Sequence, residues 1–448
     1  MAVTDFNLVT DVVEAGAQPI EGGARDYDPL LKLVGEAHFC LLGEATHGTH
    51  EFYRQRAEIT KRLITEQGFN VIAVEADWPD AFRVNRYVRS LNDDENANEA
   101  LGGFKRFPTW MWRNTVVVDF IEWLRDYNLS LPSSAPKVGF YGLDLYSLYT
   151  SIEAVLNYLN KVDPEAAKRA RYRYSCFEHF GEDTQAYGYA ATFGTTETCE
   201  REVISQLVEL RRRADDYASR DGHVAQDEFF FAEQNARLIK NAEAYYRTMF
   251  RGRVESWNLR DRHMAETLDA LVTYMNRQGQ QPKVAVWEHN SHLGDARATY
   301  MADYGELNVG QLVREKYGEQ AILIGFTTYT GTVTAASDWD GPAERKRVRP
   351  ALKESYEALF HETNNAMFFL TLRDNKQIST ALQGPRLERA IGVIYLPQSE
   401  RQSHYFDARL SRQFDAVIHF DETRALEPLE RYPVWESGEP PETFPTGV

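Results

Sequence analysis

The chain is 448 residues long, with 43% hydrophobic and 26% charged residues, which places it among ordinary globular proteins and away from disordered and coiled-coil chains. Fifty lysines and arginines against 67 aspartates and glutamates leave a net charge of −17, a field that repels phosphate backbones and anionic membrane surfaces, so nucleic acid is not expected as a partner. At about 150 residues per domain, the length allows up to roughly three domains.

The first residues, MAVTDFNLVTDVVEAG, carry acids where a signal peptide needs a basic patch and then an apolar stretch. No run approaches the roughly 18 apolar residues of a membrane span. Neither secretion nor membrane insertion is signalled. Cys40, Cys176 and Cys199 are far apart and none belongs to a CxxC pair, so neither a disulfide framework nor a thiolate zinc site is suggested, and a cytoplasmic location fits. Cys40 lies in an apolar run and reads as a buried free thiol.

Seven short apolar runs, each followed by polar residues, recur along the chain: AHFCLLGE (37–44), NVIAVEAD (70–77), KVGFYGLD (137–144), KVAVWEHN (283–290), QAILIGFT (320–327), RAIGVIYLP (389–397) and FDAVIHFD (414–421). They have the character of strands buried on both faces, which predicts an α/β fold with a mostly parallel central sheet flanked by helices. Between the first two runs, Phe52, Ile59 and Leu63 recur at helical spacing and Gly68 stands where a helix ends, which makes one βαβ unit. Residues 151–278 hold no comparable run. There Val203, Leu207 and Leu210, and later Met264, Leu268, Leu271 and Met275, repeat at helical intervals. This predicts a large helical insertion (151–278) between two parts of an α/β core, 1–150 and 279–448. The tail YPVWESGEPPETFPTGV, rich in proline and glycine, reads as irregular.

Ionisable residues cluster where these strands end. Glu44 and His47 follow the first run, Glu75 and Asp77 close the second, Asp144 follows the third, and His289 and His292 follow KVAVW. In open α/β sheets the carboxyl edge is where ligands bind. For Asp144 the plain reading, a helix cap or solvated loop residue, is the better one. For His47 it is weaker, because Gly43 and Gly48 flank its loop and the second glycine lets the backbone pass close to a substrate or partner. Glu75 would be costly to bury without a histidine or arginine beside it. His50 and Glu51 read as first-turn residues of the following helix. Arg54, seven residues after His47, fits the same face or open solvent equally well. His289 and His292 could form half of a metal site, with Glu44, His47 and Glu75 as further ligands, or could serve as imidazole donors. HExxH, GxSxG, GxxxxGK[ST] and GxGxxG motifs are all missing, and nothing beyond its neighbours marks Ser291 as a nucleophile.

Together LLGEATHGTHEF, VIAVEADWPD, FPTWMWRN, YGLDLYS and WEHNSHLGDAR resemble the erythromycin esterase-like family of hydrolases, from about Asp28 to Leu429. The resemblance implies an α/β core with helical additions and a deep cleft, in which a histidine activates water to open an ester or macrolide lactone without a metal or other cofactor. Carried over by motif, His47 is the general base, Glu44 and Glu75 are active-site carboxylates, and His289 and His292 are the second histidine pair; Arg54 is placed by distance alone. Residues shaping the pocket are expected largely in the helical part. On this reading a carboxylate orients His47, and His289, His292 and Arg54 supply N–H donors toward the carbonyl oxygen. The partner is a small-molecule ester or lactone, with no nucleic acid and no membrane; the oligomeric state is left open. A metal-dependent hydrolase using the same side chains as ligands, and a non-catalytic binding protein of the same fold, are the alternatives.

Overall fold

The structure is a computed structural model and describes residues 3–180, 183–218 and 223–437. Its strands are β1 (Gln18–Pro19), β2 (Phe39–Leu42), β3 (Val71–Asp77), β4 (Gly139–Asp144), β5 (Val284–Trp287), β6 (Ala321–Ala335), β7 (Glu344–Val348), β8 (Met367–Thr371), β9 (Arg386–Arg389), β10 (Tyr405–Ala408) and β11 (Ala416–Thr423). The central sheet runs β1-β8-β11-β6-β2-β5-β3-β4, with β7 paired to the far end of β6. From β11 to β4 every neighbour is parallel; β8, β1 and β7 join antiparallel.

The pleat explains why these runs carry so few polar residues. Leu41, Val71, Ala73, Val284, Val286 and Leu323 enter one core together with Met264, Leu268 and Leu271 of the insertion. Their alternates, among them Cys40, Leu42, Ile72, Val74, Ala285 and Trp287, enter a second core with Phe52 and Leu63 on one helix and Phe120 and Leu124 on another. Each valine, leucine, isoleucine, methionine or phenylalanine among them contributes about 1.5–3 kcal/mol on burial, so the sheet is held from both faces.

The helix after β2 spans His50–Gln67 and ends at Gly68 in the left-handed conformation (φ 71°), whose N–H donates to the Leu63 carbonyl. Between β4 and β5, helices from Leu148–Val162 to Arg253–Arg277 make up the insertion, with no strand among its described residues. Its Arg253–Arg277 helix buries Met264, Leu268, Leu271 and Met275, and its Glu200–Arg212 helix buries Val203, Leu207 and Leu210.

Several details depart from the sequence expectation. RAIGVIYLP does not join the sheet: beyond the end of β9 it forms isolated bridges from Ile391 to Thr46 and from Ile394 to Ala336, and Ile391 and Tyr395 pack against the β6–β7 hairpin. The strand β8, MFFLT, was not foreseen. β2 and β3 are parallel but not neighbours, because β5 lies between them. Cys176 and Cys199 form a disulfide with Cα atoms 6.0 Å apart, since the chain folds back within the insertion. This overturns the expectation of no disulfide and removes the cysteine argument for a reducing compartment. In the tail, Pro433–Ser437 is helical, and 438–448 lie outside the described residues. Cys40 is a buried free thiol. Among the described residues no helix is long and apolar enough to cross a membrane.

Candidate active site

Four adjacent strands, β2, β5, β3 and β4, end side by side and deliver Glu44 and His47, Glu288 and His289, Glu75 and Asp77, and Asp144 to one edge. A cleft of about 470 Å³ opens there, and His47, Glu75, Asp144, His289 and His292 line it.

His47 sits in a loop pinned from several sides. The Glu44 carbonyl accepts the Asn290 N–H (2.8 Å) and the Ala45 carbonyl accepts the Ile391 N–H (2.8 Å). The Gly48 carbonyl accepts from both Thr334 (2.9 Å) and Leu426 (2.8 Å). A Cβ on Gly48 would lie 1.8 Å from the Thr334 carbonyl oxygen, so the close approach that calls for glycine is to the protein's own backbone, not to a substrate. His47 is 7% exposed, and its Nδ1 lies 2.9 Å from Glu44 Oε1. Glu44 Oε2 in turn accepts from Arg56 at 2.8 Å. The carboxylate fixes the proton on Nδ1 and leaves Nε2 toward the cleft, 3.9 Å from Glu75 Oε1 and so beyond hydrogen-bond length. Burial works against a charged His47 ring, but Glu75 and Glu44 together outweigh it and hold its pKa above the ordinary 6.5.

Glu75 is 5% exposed and fully engaged. Oε1 accepts from Arg260 at 2.7 Å, and Oε2 accepts the His289 backbone N–H at 2.9 Å. Burial opposes its charge, yet the positive charge gathered around it, Arg260 and His47 included, and that N–H keep its pKa well below the usual carboxylate range. Arg260 also grips Asp144 through Nε (3.0 Å) and a terminal nitrogen (2.7 Å). Asp144 is thus a buried ion-pair partner and not the cap or solvated residue expected from sequence. Asp77 pairs with Arg106 at 3.0 Å.

The two later histidines differ from each other. His289 caps the short helix Asn290–Leu293, so it does not share a helix face with His292. Its Nδ1 accepts the Ser291 N–H at 3.2 Å, which leaves the proton of the neutral ring on Nε2. That Nε2 forms no hydrogen bond of ordinary geometry, although the nearby Ala45 carbonyl favours the protonated ring. Burial, with the charge of His47, lowers the His289 pKa to about 3, so the ring is neutral. The His47 and His289 rings lie 4.8 Å apart. His292 Nε2 is 3.5 Å from Glu75 Oε1 and accepts from Arg260 at 3.1 Å, so a neutral His292 has no Nε2 proton to offer a substrate.

Of the residues expected from sequence, Glu44, His47, Glu75, His289 and His292 converge, and Arg54 does not. Arg54 is exposed on the His50–Gln67 helix, beside His50 and Glu51. The arginine that reaches the site is Arg56, two residues on and 1% exposed, with its guanidinium over Tyr53 at 4.4 Å. A helix turns about 100° per residue, so a two-residue offset takes a side chain to the opposite flank. His50 and Glu51 lie outside the cleft and bind Arg424. The cleft walls also depart from expectation. Phe104, Phe107, Trp112, Trp339 and Tyr405 come from the α/β part, while the insertion supplies Arg253, Trp257 and Arg260. Among the described residues no group of three or more His, Cys, Asp or Glu side chains is placed to hold a metal ion.

A family model described as erythromycin esterase matches residues 64–423. That stretch holds Glu75, Asp144, Arg260, His289 and His292; Glu44, His47 and Arg56 precede it. The chain is similar to the type II erythromycin esterase of Escherichia coli, 22% identical over 322 residues that span 69% of this chain and 73% of that protein. It is also similar to the putative hydrolase YbfO of Bacillus subtilis strain 168, 22% identical over 433 residues, 91% of this chain and 89% of that one. Among solved structures, a Bacillus cereus protein at 22% identity superposes with a TM-score of 0.75 over 95% of this chain and 99% of its own. A mutant erythromycin esterase in its open conformation, 19% identical, does so with a TM-score of 0.67 over 93% and 98%.

Proposed function

The chain belongs to the erythromycin esterase family, and from that membership we propose that it is a hydrolase that opens an ester or lactone with water activated by His47. The observation that carries the reading is the Arg56–Glu44–His47 relay, which holds one buried imidazole by Nδ1 and leaves Nε2 open to the cleft. Water gives a proton to Nε2 as its oxygen bonds to the carbonyl carbon, and the carbonyl electrons move onto the oxygen. Arg260, a fixed cation beside the site, stabilises that oxyanion, with neutral His289 as a second group at hand. Collapse breaks the bond to the leaving alkoxide, which takes the proton back from His47. The donor role expected of Arg54 falls to Arg260.

The reaction so written needs no metal. Its carboxylates are already engaged: Glu44 with Arg56, and Glu75 and Asp144 with Arg260. A cation thus occupies the place that a metal reading would fill, which favours the metal-independent reading over the ligand-cluster one. The substrate is a small-molecule ester, and macrolide lactones belong in the test set because relatives carry the name erythromycin esterase. The test is a panel of esters, lactones and amides, with and without a strong chelator. Hydrolysis that survives chelation and is lost in His47→Ala is the expected result. Turnover that chelation abolishes and zinc restores would replace this reading with the metal-dependent one.

A further inference from the structure

Asp261 is fully buried on the Arg253–Arg277 helix, and it continues the stripe of Met264, Leu268, Leu271 and Met275, where an isolated charge is costly. Its partner is a ring from the sheet edge. Both Asp261 oxygens face His292 Nδ1, at 2.9 and 3.0 Å, and Oδ1 also accepts the Val309 N–H at 3.1 Å. An ionised carboxylate can only accept, so Nδ1 carries a proton, and in the neutral ring Nε2 then holds the lone pair. The other side of the ring agrees, since the group 3.1 Å from Nε2 is an Arg260 nitrogen, which can only donate. Trp257 stacks on the ring at 4.5 Å and 8°, which fixes its plane. Burial raises the Asp261 carboxyl above its usual range, against the pull of His292, Arg260 and the Val309 N–H, so its ionised form depends on these partners.

Two consecutive residues of one helix therefore clamp one imidazole. Asp261 holds it from behind, and Arg260 is held by it in front. Arg260 also donates to Asp144 and Glu75 and lies over the Tyr146 ring at 4.9 Å, so its hydrogen-bond acceptors are held by residues at the sheet edge.

We propose that Asp261 is a positioning residue of the reaction: it fixes His292 as the Nδ1–H tautomer, and Nε2 is thereby the acceptor that sets the Arg260 guanidinium in the cleft beside Glu75 and His47. This rests on the hydrolytic reading of the cleft. A merely structural Asp–His pair would stabilise the fold without caring which nitrogen faces Arg260.

Imidazole ¹⁵N NMR of the intact protein reads the tautomer without any substrate. His292 protonated on Nδ1 and bare on Nε2 is the expected result, and the reverse tautomer overturns the proposal. In kinetics with p-nitrophenyl butyrate, Asp261→Asn keeps a carbonyl for Val309 but removes the charge. It should lower kcat about 10- to 100-fold, with KM changed less than about threefold. In a His292→Gln background, where the side-chain carbonyl can accept from Arg260 directly, adding Asp261→Asn should cost less than about twofold. An equal loss in both backgrounds would mean that Asp261 acts through the fold alone, and the proposal falls. Should Asp261→Asn not fold, the wild-type tautomer decides. His47→Ala, assayed beside these variants, reports on the base itself: full turnover there would sink the hydrolytic reading and leave the tautomer result standing.

Discussion

Arg260 donates to Glu75 at 2.7 Å although 185 residues separate them, one on a helix of the insertion and the other at the end of β3. Each solves the other's burial problem. The insertion is thereby a constituent of the site and not an ornament on the sheet.

Removing that cation should be felt twice. Arg260→Met leaves Glu75 and Asp144 buried without their partner, and breaking a buried pair from one side costs about 3–5 kcal/mol. Arg260 also opposes the charge on His47, so the His47 pKa should rise when it goes. Chemical denaturation and a pH–rate profile check the two effects separately.

On the proposed function, the pH dependence of turnover should follow from the His47 shift. Its pKa lies above 6.5, so the rate should climb with pH through a limb above that value as the base form appears. Glu44→Gln removes a charge that raises the pKa, so the limb should move to lower pH while kcat falls. For stability the sign is opposite. The charged His47 contributes fully below its unfolded value near 6.5, and that contribution is lost as pH rises through the folded pKa. A Glu44→Gln limb at higher pH than wild type would contradict this assignment.

Two arginines two residues apart should behave in contrary ways. Arg56→Met strands Glu44 and withdraws a guanidinium packed over Tyr53 and near Trp287, so roughly 3–5 kcal/mol and most of the turnover should go. Arg54→Ala changes an exposed side chain, and stability should stay within about 0.5 kcal/mol with turnover intact. Urea melts of the two variants, run side by side, are decisive.

Gly48→Ala should be damaging for a steric reason. The new methyl would meet the Thr334 backbone at 1.8 Å, with no flexible side chain to give way. A cost of about 3 kcal/mol or more is expected, since overpacking typically costs 1–3 and here backbone must move. Near wild-type thermal stability in this variant would show that the His47 loop is less tightly pinned than its hydrogen bonds imply.

The disulfide spans a sequence separation of 23 residues within the insertion. Replacing both cysteines by serine should lower stability by roughly 2–4 kcal/mol. Reducing agent should lower the wild-type melting temperature and leave that of the double variant unchanged.

Much of the architecture was legible because a doubly covered parallel strand has a plain signature: four or more consecutive apolar residues with polar residues after them. That signature found β2, β3, β4, β5, β6 and β11, and with them the strand ends that carry Glu44, Glu75 and His289. It misled at RAIGVIYLP, where Ile391 is buried against a hairpin and not in a sheet. Arg260 and Asp261 were missed because LRDRHM reads as the solvated face of a helix. The sign was present all the same. Trp257 and Asp261 continue, at spacings of four and three, the stripe of Met264, Leu268, Leu271 and Met275, and an acid on an apolar stripe needs a partner. Which strand end would supply that partner depends on tertiary docking, which local spacing does not encode.

The position of β5 sets an order on how the molecule is made. β2, β3 and β4 leave the ribosome within the first 144 residues, but the slot between β2 and β3 stays open until Val284–Trp287 has been synthesised. The nascent amino-terminal part therefore presents both edges of β2, whose neighbours β5 and β6 are made later, and one edge of β3 while the whole helical insertion is translated, an interval of roughly 7–30 s at 5–20 residues per second. A fragment ending near residue 150 should be aggregation-prone, and supplying the segment that carries both β5 and β6 as a separate chain should rescue it. Soluble, protease-resistant folding of that fragment alone would show that the edges are protected by another means.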